Sequence, residues 1–483
     1  IEIRMTLLTE FKHKQILVLG AGITGLSCAG YLSAQGLCFA VNDSRSNPFS
    51  HRYSEQQFSA DFPTANLHLG QWQTELIAKA DVIIISPGID SVRENISQYI
   101  SDDCRVMGDV ELFCQINNAQ SNPIKILALT GSNGKSTVVS LLAYLANRLG
   151  INAQLGGNIG QPVLDILTEE KVAAQKQKTN GLPELLILEL SSFQLETLTS
   201  MQAIATSVLN VSDDHLDRHL SMENYQKIKQ SIYNQGKLAV TNRDDIATQT
   251  PNKLQPVLSF GSDIPNENQF GIRVYKGKAH LAFGNQNLIA LEQLPLAGMH
   301  NALNYLTVLA LGFSAGWSIT TMVKYLAGFT GLAHRCQRVQ TEDGITWIND
   351  SKATNVGATL AAINGLAQTP NTQGVTKQRL ILIAGGDGKG ADFTPLKQPL
   401  SLHVSHVITL GKDGDKIADL ISDVNHVNKA SSLIEAVQVA KAKANKGDTV
   451  LLSPACASLD MFKNFVDRGE QFMTAVTALA EVS

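Results

Sequence analysis

None of the six cysteines has a neighbour at a spacing that chemistry would use: there is no CxxC pair and no pattern of metal ligands. Cys28, Cys38, Cys104, Cys114, Cys336 and Cys456 mostly sit in apolar stretches, where a reduced thiol packs as a small hydrophobe. Cys456, within SPACASLD, carries no mark of a nucleophile and is read as structural. This usage argues against a disulfide scaffold or a zinc module and for a reduced, cytoplasmic protein. An excess of charge is missing too. The net charge is −4 with 17% charged residues, so nothing electrostatic calls for nucleic acid or an anionic membrane as partner. Long apolar runs are also absent. The starting segment IEIRMTLLTEFKHK holds no stretch of signal-peptide length, and no later run approaches the roughly 20 residues of a membrane span. No repeat at solenoid periods is found.

What remains is an ordinary globular composition, 44% hydrophobic over 483 residues, too long for one core and so divided into two or three domains. Along the chain, short apolar runs alternate with helical patterns. KQILVLG (14–20), CFAVND (38–43) and DVIIISPG (81–88) read as strands, apolar on both faces as in parallel βαβ units, with Leu26, Ala29, Gly30 and Leu37 marking a helix between the first two. A polar, proline-marked connector ends VELFCQINNAQSNP. The alternation restarts with IKILALT (124–130), a helix striped by Val138, Leu141, Leu142, Leu145 and Leu149, then ELLILEL (184–190) and TSVLNV (206–211). The insert EEKVAAQKQKTNG (169–181) predicts an exposed excursion, 251–296 weakens into short strand-like pieces, and 300–313 predicts an amphipathic helix. A third set follows GLAHR (331–335): strands TWIND, RLILIAGG, HVITLG and DTVLLSP, with helical patterns at 356–366 and 432–445. The expectation is three α/β domains, 1–109, 110–331 and 332–483.

The strongest chemical motif is TGSNGKST (130–137), set between a buried strand and an amphipathic helix. Successive backbone N–H groups in such a loop cradle phosphate oxygens, and the helix N-terminus adds its positive dipole end. Lys135 would reach the outer phosphates, and Ser136 would offer a hydroxyl to Mg2+. The strict phosphate-loop pattern would need glycine at Leu129, so this is a shorter variant. Glu189, a lone acid ending an apolar strand, is costly there unless it meets a cation or a partner, which favours a metal role over a solvent-facing one. In SDDHLDRH (212–219), His215 is the best-placed metal or phosphate group, while helix capping is expected for at least two of Asp213, Asp214 and Asp217. GAGITG (20–25), with Asp43 about twenty residues on, is a full GxGxxG that taken alone points to NAD or FAD, or equally to another phosphate or uridine nucleotide. Ser86 and Gly88 end the third strand at the same edge. In the last third, NDSKATN (349–355) and GGDGKG (385–390) place Lys352 and Lys389 at strand ends, as an anionic substrate would require, though a solvated lysine is the commoner case. Asn301, Asn304 and Arg335 lie near a domain joint, and an amphipathic helix explains the asparagines about as well. On the residues alone, a nicotinamide-dependent dehydrogenase, a nucleotide switch or ATPase, and a ligase remain open.

TGSNGKST, GGNIG (156–160), LELSSFQLE, NVSDDHLDRH, MHNALN, GLAHR, NDSKATN, GGDGKG and SPACASLDMFKNF, in this order over nearly the whole chain, resemble the Mur ligase family. The central motifs are shared in part with folylpolyglutamate synthases, whereas NDSKATN and SPACASLDMFKNF resemble the branch that adds D-glutamate. The resemblance implies a Rossmann-like N-terminal domain for a UDP-linked substrate, a central parallel sheet of the P-loop ATPase type, and a Rossmann-like C-terminal domain. It implies a cytoplasmic monomer with UDP-N-acetylmuramoyl-L-alanine, D-glutamate and ATP as partners, acting through an acyl phosphate. Thr24, Asp43, Ser44, Arg45, Ser86 and Gly88 match positions that hold the uridine nucleotide, and Asn158 and His215 the muramoyl-alanyl end. Gly131, Ser132, Asn133, Gly134, Lys135, Ser136 and Thr137, with Asn301, Asn304, Arg335 and Asp350, match the ATP site. Lys229 matches a lysine that is carbamylated in the family and would share a second Mg2+ with Glu189 and His215, the first lying at Ser136 and Glu189. Lys352, Thr354, Lys389, Ser458, Leu459 and Phe465 match the D-glutamate pocket, and Lys135, His215 and Lys229 the catalytic set.

Overall fold

The computed structural model describes residues 9–49, 53–168, 181–296, 298–367, 379–421, 423 and 426–481. The first eight residues and all but the last residue of the 169–181 insert lie outside that range.

The first sheet is wholly parallel, ordered β3-β2-β1-β4-β5, from β1 (Ile16–Leu19), β2 (Phe39–Asp43), β3 (Ala65–Leu69), β4 (Val82–Ile85) and β5 (Arg105–Met107). The runs ILVL and VIII are buried throughout because they occupy the sheet's centre, with apolar side chains packed on both faces. The chain runs outward from β1 through β2 to β3 and then returns to β4 on the other side, so GAGITG and Ser86 meet at a topological switch point. The polar, short edge strands β3 and β5 had no apolar run to announce them.

The second sheet runs β14-β13-β12-β11-β10-β9-β6-β8-β7. Its parallel part comprises β6 (Lys125–Thr130), β7 (Ala153–Gly157), β8 (Leu185–Glu189), β9 (Ala203–Val208), β10 (Gly236–Asn242) and β11 (Val257–Phe260). The weak pattern at 251–296 holds β11 together with an antiparallel meander, β12 (Phe270–Tyr275), β13 (Lys278–Phe283) and β14 (Gln286–Ala290). Helix Lys135–Arg148 buries Val138, Leu141, Leu142 and Leu145 against helix Met299–Ser314 and the sheet.

The third sheet, ordered β15-β16-β20-β17-β18-β19, is parallel except at β15 (Gln337–Val339). Its other strands are β16 (Thr346–Asn349), β17 (Leu380–Gly385), β18 (Val404–Leu410), β19 (Val427–Lys429) and β20 (Thr449–Leu452). The expected helices appear as Val356–Ala367 and Leu433–Lys443.

The segment from 109 is more than a connector. Residues Asp109–Asn118 form a mostly buried helix whose Val110, Leu112, Phe113, Cys114 and Ile116 join the first sheet's core to one face of the second. Buried Glu111 accepts backbone N–H groups from Thr199 and Ser200, which anchors this helix to the loop before β9.

Candidate active site

Three strand ends converge on the phosphate loop. Thr130 ends β6, Glu189 ends β8 beside it in parallel register with Leu129, and Val208 ends β9 on the other side. Loop and helix are joined at Gly134, whose φ of 83° is left-handed and whose added Cβ would lie 2.6 Å from the Asn304 Oδ1. The loop is tied to the segment after β9. The Asn133 N–H donates to the Asn210 side chain (2.8 Å), Asn210 donates back to the Asn133 carbonyl (3.0 Å), and the Ser132 hydroxyl donates to the Ser212 carbonyl (2.9 Å). Lys135 Nζ folds back onto the carbonyls of Gly131 (2.7 Å) and Ser132 (2.9 Å), and burial lowers its pKa. Arg335 donates to the Ser136 hydroxyl (2.7 Å), so a group from the edge of the third domain reaches the start of the loop helix.

Glu189 is 2% exposed. One of its oxygens accepts from Asn158 (2.8 Å), and the other is buried without a partner among the described residues. An orphaned carboxylate oxygen beside a phosphate loop is where a cation fits. Lys229, on helix Met222–Gln230, is 1% exposed and donates to the same Gly131 carbonyl as Lys135 (3.0 Å), its Nζ lying 4.5 Å from the Tyr225 ring centre. Burial first, and then the charge of Lys135, pushes its pKa far down, so this amine gives up its proton more readily than an exposed lysine does. Among the described residues no three His, Cys, Asp or Glu are grouped to hold a metal. A magnesium-nucleotide site does not require such a group, because water and phosphate oxygens complete the shell.

His215 takes a left-handed backbone (φ 56°), packs edge-on against Phe193 and approaches Asp214 at 3.7 Å. It is itself the N-cap residue of helix Leu216–His219 and makes no side-chain cap bond there. Asp214 accepts from Asn355, across the joint to the third domain. Asn301 and Asn304, both buried, bond to each other near Gly134. Asp350 accepts from the Ser453 hydroxyl (2.9 Å) and the Cys336 N–H, and burial raises its pKa to about 6.

In the third domain Lys352 Nζ lies 4.1 Å from the Phe465 ring centre, the Thr354 N–H donates to the Lys352 carbonyl, and Ser458 is buried while Leu459 is 68% exposed. Lys389 (φ 51°) is exposed, and its N–H donates to Asp387. Cys456 is buried with its thiol pushed up to about 12, an inert thiol as expected.

In the first domain the Asp43 oxygens accept from the Ala21 N–H and from Arg45, so this acid shapes the glycine loop and aims Arg45. Thr24 lies in the first turn of helix Ile23–Ala34 after that loop, and Ser44 and the exposed Arg45 continue from β2. The Ser86 hydroxyl is buried, without a partner among the described residues, in a pocket that includes Pro87, Asp109, Phe193 and Arg218, with Gly88 just beyond. Sequence reasoning missed Arg218, which crosses the domain joint to the Pro87 carbonyl (2.9 Å) and pairs with Glu196. It also missed Asn210 and Ser212 as braces of the loop. No residue-type signal separates these from ordinary surface polar groups.

Comparison with known proteins follows the same three divisions. Family models for the Mur ligase MurD-like N-terminal domain, the Mur ligase middle domain and the Mur ligase glutamate ligase domain match residues 14–108, 129–312 and 334–456. The UDP-N-acetylmuramoylalanine–D-glutamate ligase of Colwellia psychrerythraea is 59% identical over 98% of this chain and 99% of its own. The enzyme of the same name from Shewanella violacea is 43% identical over 96% of each chain. Among solved structures, a MurF from Acinetobacter baumannii aligns with a TM-score of 0.61 at 15% identity over 98% of both chains. The UDP-N-acetylmuramate–alanine ligase of Thermotoga maritima aligns at 0.58 and 16%, over 97% of this chain and 100% of that one. At such identities the structures bear on the fold alone.

Proposed function

Because the chain belongs to the Mur ligase family, we infer that it joins D-glutamate to UDP-N-acetylmuramoyl-L-alanine with ATP as co-substrate, in peptidoglycan precursor synthesis. The observation that carries this is the 59% identity, over nearly the full length of both chains, to a ligase of that name. The reading accounts for the loop at Gly131–Thr137, which a dehydrogenase would leave without a task. No helix among the described residues is long and apolar enough to cross a membrane. The six free cysteines agree with a reducing compartment, and a cytoplasmic monomer is part of the proposal.

In the proposed reaction an oxygen of the L-alanyl carboxylate attacks the γ-phosphorus of ATP, and the bond to ADP breaks. The D-glutamate amine then attacks the acyl carbon. The tetrahedral intermediate expels phosphate as its C–O bond breaks, and the ammonium proton is lost to leave an amide. Lys135, with Ser132, Asn133, Ser136 and Thr137, holds the transferred phosphoryl group, and Asn301, Asn304, Arg335 and Asp350 hold the rest of the nucleotide. Ser136 and the free oxygen of Glu189 would hold magnesium, which when bound screens negative charge between two anions. We further propose that Lys229 is carbamylated: its amine, in the unprotonated form that burial favours, attacks CO2 and loses a proton, and the resulting carbamate would serve with Glu189 and His215 as a carboxylate-like ligand for a second magnesium. Thr24, Asp43, Ser44, Arg45, Ser86 and Gly88 hold the uridine nucleotide, with Asn158 and His215 at its muramoyl-alanyl end. Lys352, Thr354, Lys389, Ser458, Leu459 and Phe465 receive D-glutamate.

Phosphate release with ATP, Mg2+ and UDP-N-acetylmuramoyl-L-alanine, comparing D-glutamate with L-alanine, diamino acids and a dipeptide, tests the assignment. Release that does not depend on D-glutamate refutes it.

A further inference from the structure

Arg468 is buried to 1% exposure in the first turn of helix Phe465–Glu481, where the helix dipole opposes a positive charge. Among the described residues its hydrogen bonds go to neutral oxygens and none to a carboxylate, and burial lowers its pKa to about 10. Such a cation is expensive to keep, yet its donors are fully used. Nε donates to the Ser351 hydroxyl (3.0 Å). Nη1 donates to the carbonyls of Cys456 (3.2 Å) and Ala457 (3.4 Å), and Nη2 to those of Ser351 (2.8 Å) and Cys456 (3.2 Å). A guanidinium has five N–H groups in a fixed plane, and no other side chain could serve both loops at once.

The two loops are those that carry Lys352 and Ser458. A third is attached to them: Asp387 and Ala457 exchange backbone hydrogen bonds (3.0 and 2.9 Å), and Asp387 accepts from the Lys389 N–H. The Ser351 hydroxyl donates to the Phe465 carbonyl (2.8 Å), which fixes the residue whose ring meets Lys352. Ala455 is held at φ 59°, a strained conformation for a residue with a Cβ, directly before the carbonyls that Arg468 grips.

We propose that Arg468 is the positioning residue of the amino-acid pocket, setting the Lys352, Lys389 and Ser458 segments in the one spacing that fits an amino dicarboxylate. The proposal rests on the assignment of D-glutamate to that pocket. Its hydrogen bonds reach none of the residues assigned to the nucleotide, so its removal separates substrate from substrate.

The experiment measures KM for D-glutamate, ATP and the UDP-linked substrate in the wild type, Arg468→Lys and Ser351→Ala. A wild type without D-glutamate-dependent turnover defeats the functional reading itself, before any variant is compared. With that turnover in hand, Arg468→Lys raises KM for D-glutamate at least about tenfold while the other two stay within about twofold. Ser351→Ala, which removes one strut, raises it by about threefold. Equal rises in all three KM values, or an unchanged KM for D-glutamate in Arg468→Lys, overturn the positioning role. Should Arg468→Lys fail to fold, Ser351→Ala decides alone, and an unchanged D-glutamate KM there overturns the proposal.

Discussion

Replacing Lys229 by methionine should abolish activity while leaving the protein as stable as before or more so. The lost hydrogen bonds are minor. Gly131 keeps Lys135 as donor to its carbonyl, and the Thr130 hydroxyl, 3.4 Å from Nζ, already donates to the Leu190 carbonyl. Their removal costs about 1 kcal/mol. Against this stands an amine at 1% exposure next to a second lysine, and the effective cost of burying such a charge is several kcal/mol. Methionine fills similar space without it, so the expected change at pH 7 lies between zero and about 3 kcal/mol stabilising. The pH dependence gives the sign. Because the folded pKa lies below the unfolded 10.5, the unfolded chain binds more protons, and wild-type stability rises with pH across that interval. The advantage of methionine is therefore full below the folded pKa and gone above 10.5. Urea unfolding of both proteins in CO2-free buffer at several pH values measures it, with phosphate release as the activity readout. A loss of more than about 2 kcal/mol, or a gap that widens as pH rises, would show that Lys229 is a charged, stabilising partner and refute the reasoning.

Other consequences are equally direct. Asp109 is buried with one oxygen unpartnered and its pKa raised to about 6, so Asp109→Asn should stabilise the protein by up to about 3 kcal/mol at pH 8. That gain shrinks as pH falls from 6 towards 3.8, since the raised folded pKa penalises only the ionised form; a gain that persists at pH 4 would contradict the assignment. Arg218→Ala, which cuts the bond to the Pro87 carbonyl across the first joint, should raise KM for the UDP-linked substrate about tenfold and leave that for D-glutamate unchanged in steady-state kinetics. Glu189→Gln should lower turnover at saturating ATP by at least about a hundredfold and shift the magnesium dependence to higher metal; a magnesium dependence unchanged from the wild type would exclude the direct ligand role.

How much of this was legible in the sequence depends on the range of each interaction. The loop could be read because strand, glycine, lysine, serine and helix stripe are consecutive, and Glu189 because one acid in an apolar strand is conspicuous. Most central strands show themselves by being apolar on both faces, but β10, GKLAVTN with its polar ends, lies inside the second sheet and was not read. β3, β5, β7, β15 and β19 are polar or very short and lie outside the sheet centres, so they gave no signal. The braces were hidden for another reason. Asn210 and Asn133 are 77 residues apart, Arg335 and Ser136 are 199 apart, and Arg468 and Ser351 are 117 apart. The motifs marked Asn133, Ser136 and Arg335 as site residues, but which residue each one meets is visible only in the folded register. The same distance explains why these contacts matter. Arg335 and Asn355 belong to one edge of the third domain and touch Ser136 and Asp214 of the second, so the nucleotide loop is completed from across a joint. A site assembled this way registers whether its domains are in place, which is what a reactive acyl phosphate needs if water is to be kept out.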